Sequence, residues 1–387
     1  MIIQYIRKDV LSSACQFIGA LHTLQYRFTY IPCQQPKERI DTMARQKNIK
    51  FQMKQELHKM EAYGRSKHAD QVKTKEERSA LKSKGVPFEQ YRTIDYTRDY
   101  IYSHNTMKNY QHIADQYADY LKSHDLNKIT LEEAKDHVQE YLDYLRYDKE
   151  LSPQSIHTSC AGLSKVFHTT MWEYDIPNRS IAKIDRGQHT FSDMTKEQQI
   201  EKLAEYPVWN ANRILGMRKN ELINLRCDMI KEKDNRIEIV YIGKGGKHNR
   251  QIFTDQREIE YIRTLKTDKA PYDRIFDKKE VERTPNLHKA RELRCKNVYD
   301  RIVTDINERG AVAEKEYTEQ IRQSFKEAHK TLHENLDTPY VVRGDNRQRL
   351  LDLDRPVEYN RIALMIISTQ ITQHFRSNVT QNFYVGK

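Results

Sequence analysis

Between Thr106 and His124 the apolar positions fall at Met107, Tyr110, Ile113, Ala114, Tyr117, Tyr120 and Leu121. Steps of three and four residues build one buried face on a helix. A second helix is predicted from Thr130, which can cap it while Glu133 reaches back to the cap. Its apolar face is Leu131, Ala134, Val138, Tyr141, Leu142 and Leu145. A third opens at Ser152-Pro153, with proline at the first helical position, and continues through Ile156, Leu163, Val166 and Phe167. Three short amphipathic helices in succession predict a small all-helical domain at 95–180.

Beyond it the pattern changes once. Arg236 to Ile242 alternates apolar and polar positions, the chain turns at Gly243-Lys244-Gly245-Gly246, and alternation resumes at Arg250-Gln251-Ile252-Phe253. This predicts a β-hairpin; the rest of 185–387 reads as helical. The expected fold class is therefore mainly α with a small antiparallel β-sheet: a helical domain, then a mixed α/β domain. Ahead of both, residues 43–94 are basic and polar with weak amphipathic spacing, which predicts a solvated helical arm or lead-in. Residues 1–42 differ in composition and carry a short apolar stretch from Phe17 to Leu24. We expect them to be a dispensable extension, with Met43 an alternative start.

Composition narrows the partners. Charged residues make up 31% of the 387 and the formal net charge is +11, which favours a polyanion and nucleic acid above others. Hydrophobic residues at 37% suffice for modest packed cores under a charged surface. The five cysteines are scattered, with no C-x-x-C pair, so neither a disulfide framework nor a zinc knuckle is indicated and a cytoplasmic location is expected. No apolar run reaches the roughly 20 residues that a membrane helix needs, and the N-terminus lacks the pattern of a signal peptide.

Four clusters carry candidate chemistry. The first is Gly216-Met217-Arg218-Lys219-Asn220-Glu221-Leu222, with Leu225 beyond. The second is the hairpin loop from Gly243 to Arg250, and the third is His288-Lys289-Ala290-Arg291. On a helix, His288 and Arg291 share a face; a register using Arg291 and Arg294 is the alternative. The fourth runs from Ile366 through His374-Phe375-Arg376-Ser377-Asn378-Val379-Thr380 to Tyr384. Asn378-Val379-Thr380 also spells a glycosylation sequon, read as coincidental in a cytoplasmic protein.

In this order the clusters resemble the catalytic boxes of the tyrosine recombinases, the phage-integrase or lambda-integrase-like family. The resemblance spans roughly residues 95–387. It implies that Arg218 and Arg291 contact the scissile phosphate, that Glu221 supports the local fold, and that Lys244 protonates the leaving 5′ oxygen. It further implies that His288 and His374 contact the phosphate and that Tyr384 attacks the phosphorus to form a 3′-phosphotyrosine. The helical domain would then be a core-binding domain and 185–387 the catalytic domain. No metal, nucleotide or other cofactor is implied. The implied partner is double-stranded DNA with inverted-repeat core sites, bound by a protein that is monomeric in solution and a homo-tetramer on synapsed DNA.

The sequence departs from the pattern in two places. Compact members have a short link between the third box and the next histidine. Here an insertion at about 305–355 intervenes, predicted as a charged helix from Glu314 to His333 and then a loop dense in arginine and aspartate from Pro339 to Arg355. Only Val385, Gly386 and Lys387 follow Tyr384, where many relatives carry a docking segment. A type IB topoisomerase-like nicking-closing enzyme, a non-catalytic DNA-binding protein of the same fold, and a basic helical scaffold are the rival readings.

Overall fold

Regular spacing of apolar residues and well-formed caps set the first core. The computed structural model describes residues 48–126, 128–179, 191, 193–244 and 246–386; the extension at 1–42 and the expected junction near 180–185 lie outside the described residues. Seven helices come first: α1 (Ile49–Lys59), α2 (Lys67–Ser83), α3 (Phe88–Tyr91), α4 (His104–Ser123), α5 (Leu131–Asp136), α6 (Val138–Tyr147) and α7 (Pro153–Val166). Ser103 and Ser152 accept from the backbone N–H groups of Thr106 and Ser155. Thr130 and Glu133 form a reciprocal capping box, satisfying donors that a helix start leaves unpaired. Met107, Ile113, Ala114, Tyr117 and Leu121 of α4 are buried against Leu142 of α6 and Leu163 of α7. The predicted second helix is two, broken at His137.

Within the described part of the stretch expected as a solvated helical arm or partly disordered lead-in, 48–94, α1 is packed and α2 is mostly exposed. Ile49, Met53 and Leu57 of α1 are buried in the same core as α4 and α7. One apolar residue per turn is a narrow stripe, but α4, α7 and α5 pack on this helix and cover it. In α2 only Asp70 and Thr74 are buried. Arg65 forks onto Asp70 with two 2.7 Å bonds and Tyr102 donates to the same carboxylate, holding that carboxyl down at about 2.

The remaining described chain has its own cores. It runs α8 (Lys196–Ala204), α9 (Pro207–Leu215), α10 (Lys219–Asn224), β1 (Ile230–Lys233), β2 (Arg236–Ile242), β3 (His248–Phe253), α11 (Gln256–Thr264), α12 (Lys278–Arg283) and α13 (Leu287–Arg309). Then come α14 (Ala311–Glu327), β4 (Tyr340–Val341), α15 (Gly344–Asp352), β5 (Glu358–Tyr359), α16 (Arg361–Gln370), α17 (Ser377–Thr380) and a π-helical turn, Gln381–Val385. The order β1-β2-β3 is antiparallel throughout, with Ile237 opposite Phe253 and Tyr241 opposite Asn249. The hairpin stands as predicted, and β1 adds a strand that alternation does not reveal, because only Ile230 of its four residues is buried. The fold is mainly α with a small antiparallel sheet.

Two features of this part position the site. Every residue of α16 from Ile362 to Thr369 is buried, so the helix is enclosed on all sides and fixed by packing. Its C-terminal end is a firm base for the turn carrying His374. The second feature is the insertion. Gly310, at φ +58°, ends α13, a backbone angle that glycine adopts without strain, and α14 follows as the charged helix. The stretch expected as a loop instead forms β4 and α15, and β4 pairs with β5 just beyond it, Tyr340 opposite Tyr359. Its charge hid the helix, since Leu350 alone of α15 is buried.

Candidate active site

α9 ends at Gly216 in the left-handed region, φ +62°. A Cβ there would stand 2.9 Å from Ile371 and 3.0 Å from Arg294, so only glycine permits this turn. The turn delivers Arg218 to the start of α10. Glu221, one turn on, accepts from the Arg218 backbone N–H and from Arg218 Nη1, both at 2.8 Å. Its carboxylate also lies 3.5 Å from Nη1 of Arg291 on α13. One buried carboxylate therefore sets the spacing of two guanidinium groups.

Arg291 is 1% exposed. It donates to the carbonyls of Gly216 at 2.7 Å and Ile371 at 3.3 Å. Its Nε has no hydrogen-bond partner among the described residues. Burial alone would lower its pKa; Tyr384, Cys295, Tyr241 and Glu221 outweigh that and leave it raised. Arg218 is more open, its Nη2 reaching the Thr372 carbonyl at 3.3 Å.

Tyr384 sits in the π-helical turn and is buried. Its ring centroid is 5.6 Å from Arg291 Cζ, 5.5 Å from the His288 ring and 6.2 Å from the His374 ring. His288 occupies the first turn of α13, one turn ahead of Arg291. Arg294 points elsewhere: it forks onto Glu258 of α11. The structure thus places Arg291, and not Arg294, against Tyr384.

His374 lies on a strained turn. Gln373 and Phe375 on either side have φ of +59° and +58°, which costs non-glycine residues of order 1–3 kcal/mol each and persists only where surroundings enforce it. The His374 N–H donates to the Ser368 carbonyl at 3.0 Å, and the Gln373 side chain donates to the Arg250 carbonyl at 2.9 Å. Phe375 packs edge-on against Phe325 of α14, with Lys330 Nζ 3.5 Å from its ring centroid. Burial first, then Arg218, Arg291, Lys247 and Arg376, push the His374 imidazole down to about 4 from an ordinary 6.5.

That shift has a sign. Between pH 6.5 and about 4 the unfolded chain takes up a proton that folded His374 refuses, so its contribution to stability is present above pH 6.5 and lost as pH falls through that window. His374→Gln removes the increment. Urea midpoints at pH 7 and pH 4.5 should show a shallower loss of stability in the variant than in the parent; equal losses would contradict the assignment.

Lys244 stands exposed at the hairpin tip, and no hydrogen bond, ion pair or ring contact joins it to the other five described residues. The charge that reaches His374 from this loop is that of Lys247. Behind the arginines lie side chains that box reading passed over. Asn249 and Gln251 are buried on β3, and Gln251 donates to the Tyr241 hydroxyl at 3.2 Å. A Cβ on Gly243 would come within 2.1 Å of Asn249 Nδ2 and 3.3 Å of Glu221 Oε1. Polar residues at the inward positions of a strand were the available signal, because burial demands partners for them. Among the described residues no group of three or more His, Cys, Asp or Glu is placed to hold a metal ion, and no helix is long and apolar enough to cross a membrane.

No protein-family model matches the chain, and no curated protein matches it. Solved structures do. One is the XerH site-specific recombinase bound to palindromic difH substrate in a post-cleavage complex. It is 14% identical over 87% of this chain and 90% of that one, with a TM-score of 0.35. The pre-cleavage complex of XerH with difH substrate gives the same values. The XerA recombinase is 15% identical over 73% of this chain and 88% of its own, with a TM-score of 0.23. The chain is similar to these recombinases at 14–15% identity. Of the six residues singled out by the sequence resemblance, Arg218, His288, Arg291, His374 and Tyr384 converge and Lys244 stands apart.

Proposed function

We propose that this protein is a tyrosine site-specific recombinase that cleaves and rejoins duplex DNA through a 3′-phosphotyrosine at Tyr384. One observation carries the reading: a buried phenol ringed by His288, Arg291 and His374, with Arg218 coupled to Arg291 through Glu221. Phosphoryl transfer requires chiefly positioning and charge stabilisation. Arg218 and Arg291 supply fixed positive charge for the non-bridging oxygens, and the unpaired Arg291 Nε adds a donor. His374, neutral at physiological pH, donates an N–H without adding charge. Tyr384 Oη gives up its proton to solvent and attacks phosphorus, the O–P bond to the 5′ oxygen breaks, and a hairpin lysine protonates the departing oxygen. Lys244 holds that role by the resemblance; Lys247 is the lysine whose field reaches the site. The reverse step uses a 5′ hydroxyl of another strand to expel the tyrosine.

On this reading, 95–180, joined by α1, is the core-binding domain and 185–387 the catalytic domain. The partner is double-stranded DNA with inverted-repeat core sites. The chain is monomeric in solution, assembles as a homo-tetramer on synapsed sites, and works in the cytoplasm without metal or nucleotide. Incubation with two differently marked sites in EDTA tests the reading. Strand exchange supports it. Relaxation of supercoiled DNA without exchange favours a type IB topoisomerase-like enzyme, and binding without either favours a non-catalytic DNA-binding protein.

A further inference from the structure

The insertion touches the Tyr384 segment at several separate points. Glu334, in the connection after α14, accepts from the Ser377 backbone N–H at 3.1 Å and from the Ser377 hydroxyl. Ser377 is 1% exposed and opens α17, whose own cap residue, Arg376, supplies no side-chain cap. A carboxylate from far along the chain therefore satisfies donors that a local serine or aspartate usually satisfies. Glu334 is itself held: Arg361 Nη1 lies 3.3 Å from it, and the same guanidinium donates to the carbonyls of Thr338 and Pro339 at 2.9 Å. Farther on, Asn346 of α15 donates to Asn382 at 2.7 Å, two residues before Tyr384. Arg349 donates to Asn346 Oδ1 at 3.3 Å and so orients that side-chain amide. Phe325 of α14 backs Phe375, next to His374.

A segment that served only to enlarge the surface would not place its polar groups on the start and middle of one short helical run. We propose that the insertion is a brace for the nucleophile, with Glu334 its principal positioning residue and Asn346 its second. The inference rests on Tyr384 being the nucleophile. Fixing the start of α17 fixes the direction of the π-helical turn, and with it the distance from the phenol to phosphorus. A misplacement of about 1 Å costs on the order of a hundredfold in rate.

Single-turnover cleavage of a nicked duplex at saturating DNA tests this, with DNA affinity and thermal midpoint measured on the same proteins. Glu334→Ala is expected to cleave about a hundredfold more slowly while its affinity for DNA stays that of the parent. Glu334→Gln keeps an acceptor for the Ser377 N–H and is expected to recover much of the rate. Asn346→Ala leaves Glu334 in place and is expected to slow cleavage less. Parental cleavage in both alanine variants overturns the proposal. So does a joint fall in midpoint, affinity and rate that glutamine does not rescue, since that is loss of folding and not of aim. Absence of any covalent adduct with the unaltered chain overturns the reading of Tyr384 itself, and the brace with it; an adduct that forms equally well without Glu334 overturns the brace alone.

Discussion

Tyr384→Phe is expected to abolish the covalent protein–DNA adduct while leaving DNA binding unchanged. The substitution removes one oxygen from a ring packed among His288, Arg291 and His374. Tyr384 Oη makes no hydrogen bond to another described side chain that phenylalanine would leave broken, so the fold should survive. The loss should be complete, because no neighbouring group can replace a nucleophile bonded to the leaving strand. The check is a denaturing gel of a nicked substrate beside a binding titration. A residual adduct in the variant would mean that another of the 24 tyrosines performs the attack.

Arg291→Ala is expected to fail twice, in stability and in cleavage. It leaves the Gly216 carbonyl without the Arg291 donor, the Ile371 carbonyl with Gln251 alone, and the buried Glu221 with Arg218 as its remaining ion-pair partner. Glu221 keeps its charge compensated, so the main loss is the unsatisfied buried carbonyl, which costs about 1–3 kcal/mol. At temperatures where the variant stays folded, loss of a fixed charge at the phosphate should slow cleavage by about 10²–10³. Arg291→Lys separates the two effects. It restores charge, but an ammonium cannot serve two carbonyls and a carboxylate in the fixed geometry of a guanidinium. It should therefore recover more stability than rate. Urea unfolding with single-turnover cleavage measures both; a lysine variant that cleaves as fast as the parent would contradict the role.

Much of this was legible from residue spacing. The faces of α4, α6 and α7 follow from steps of three and four, and the cap at Thr130 and the proline opening α7 were readable as local chemistry. The hairpin followed from alternation and its glycine loop. Arg218, His288, Arg291, His374 and Tyr384 stood in an order that the tyrosine recombinases share, and the fold brings them together. What escaped depends on long-range contact. α1 joins the first core only because α4, α7 and α5 cover its narrow stripe. α15 and the β4–β5 ladder are short and charged, so tertiary pairing and not periodicity defines them. Glu334 and Ser377 meet although 43 residues separate them, a distance that no local pattern spans. The resemblance of the hairpin loop points to Lys244, whereas in the folded hairpin it is the charge of Lys247 that bears on His374.

The most direct measurement is to digest the trapped protein–DNA complex and locate the modified residue by mass spectrometry. The account predicts a 3′-phosphodiester on the peptide containing Tyr384. Linkage at any other residue, or no linkage under conditions in which the protein binds and nicks its site, would contradict it.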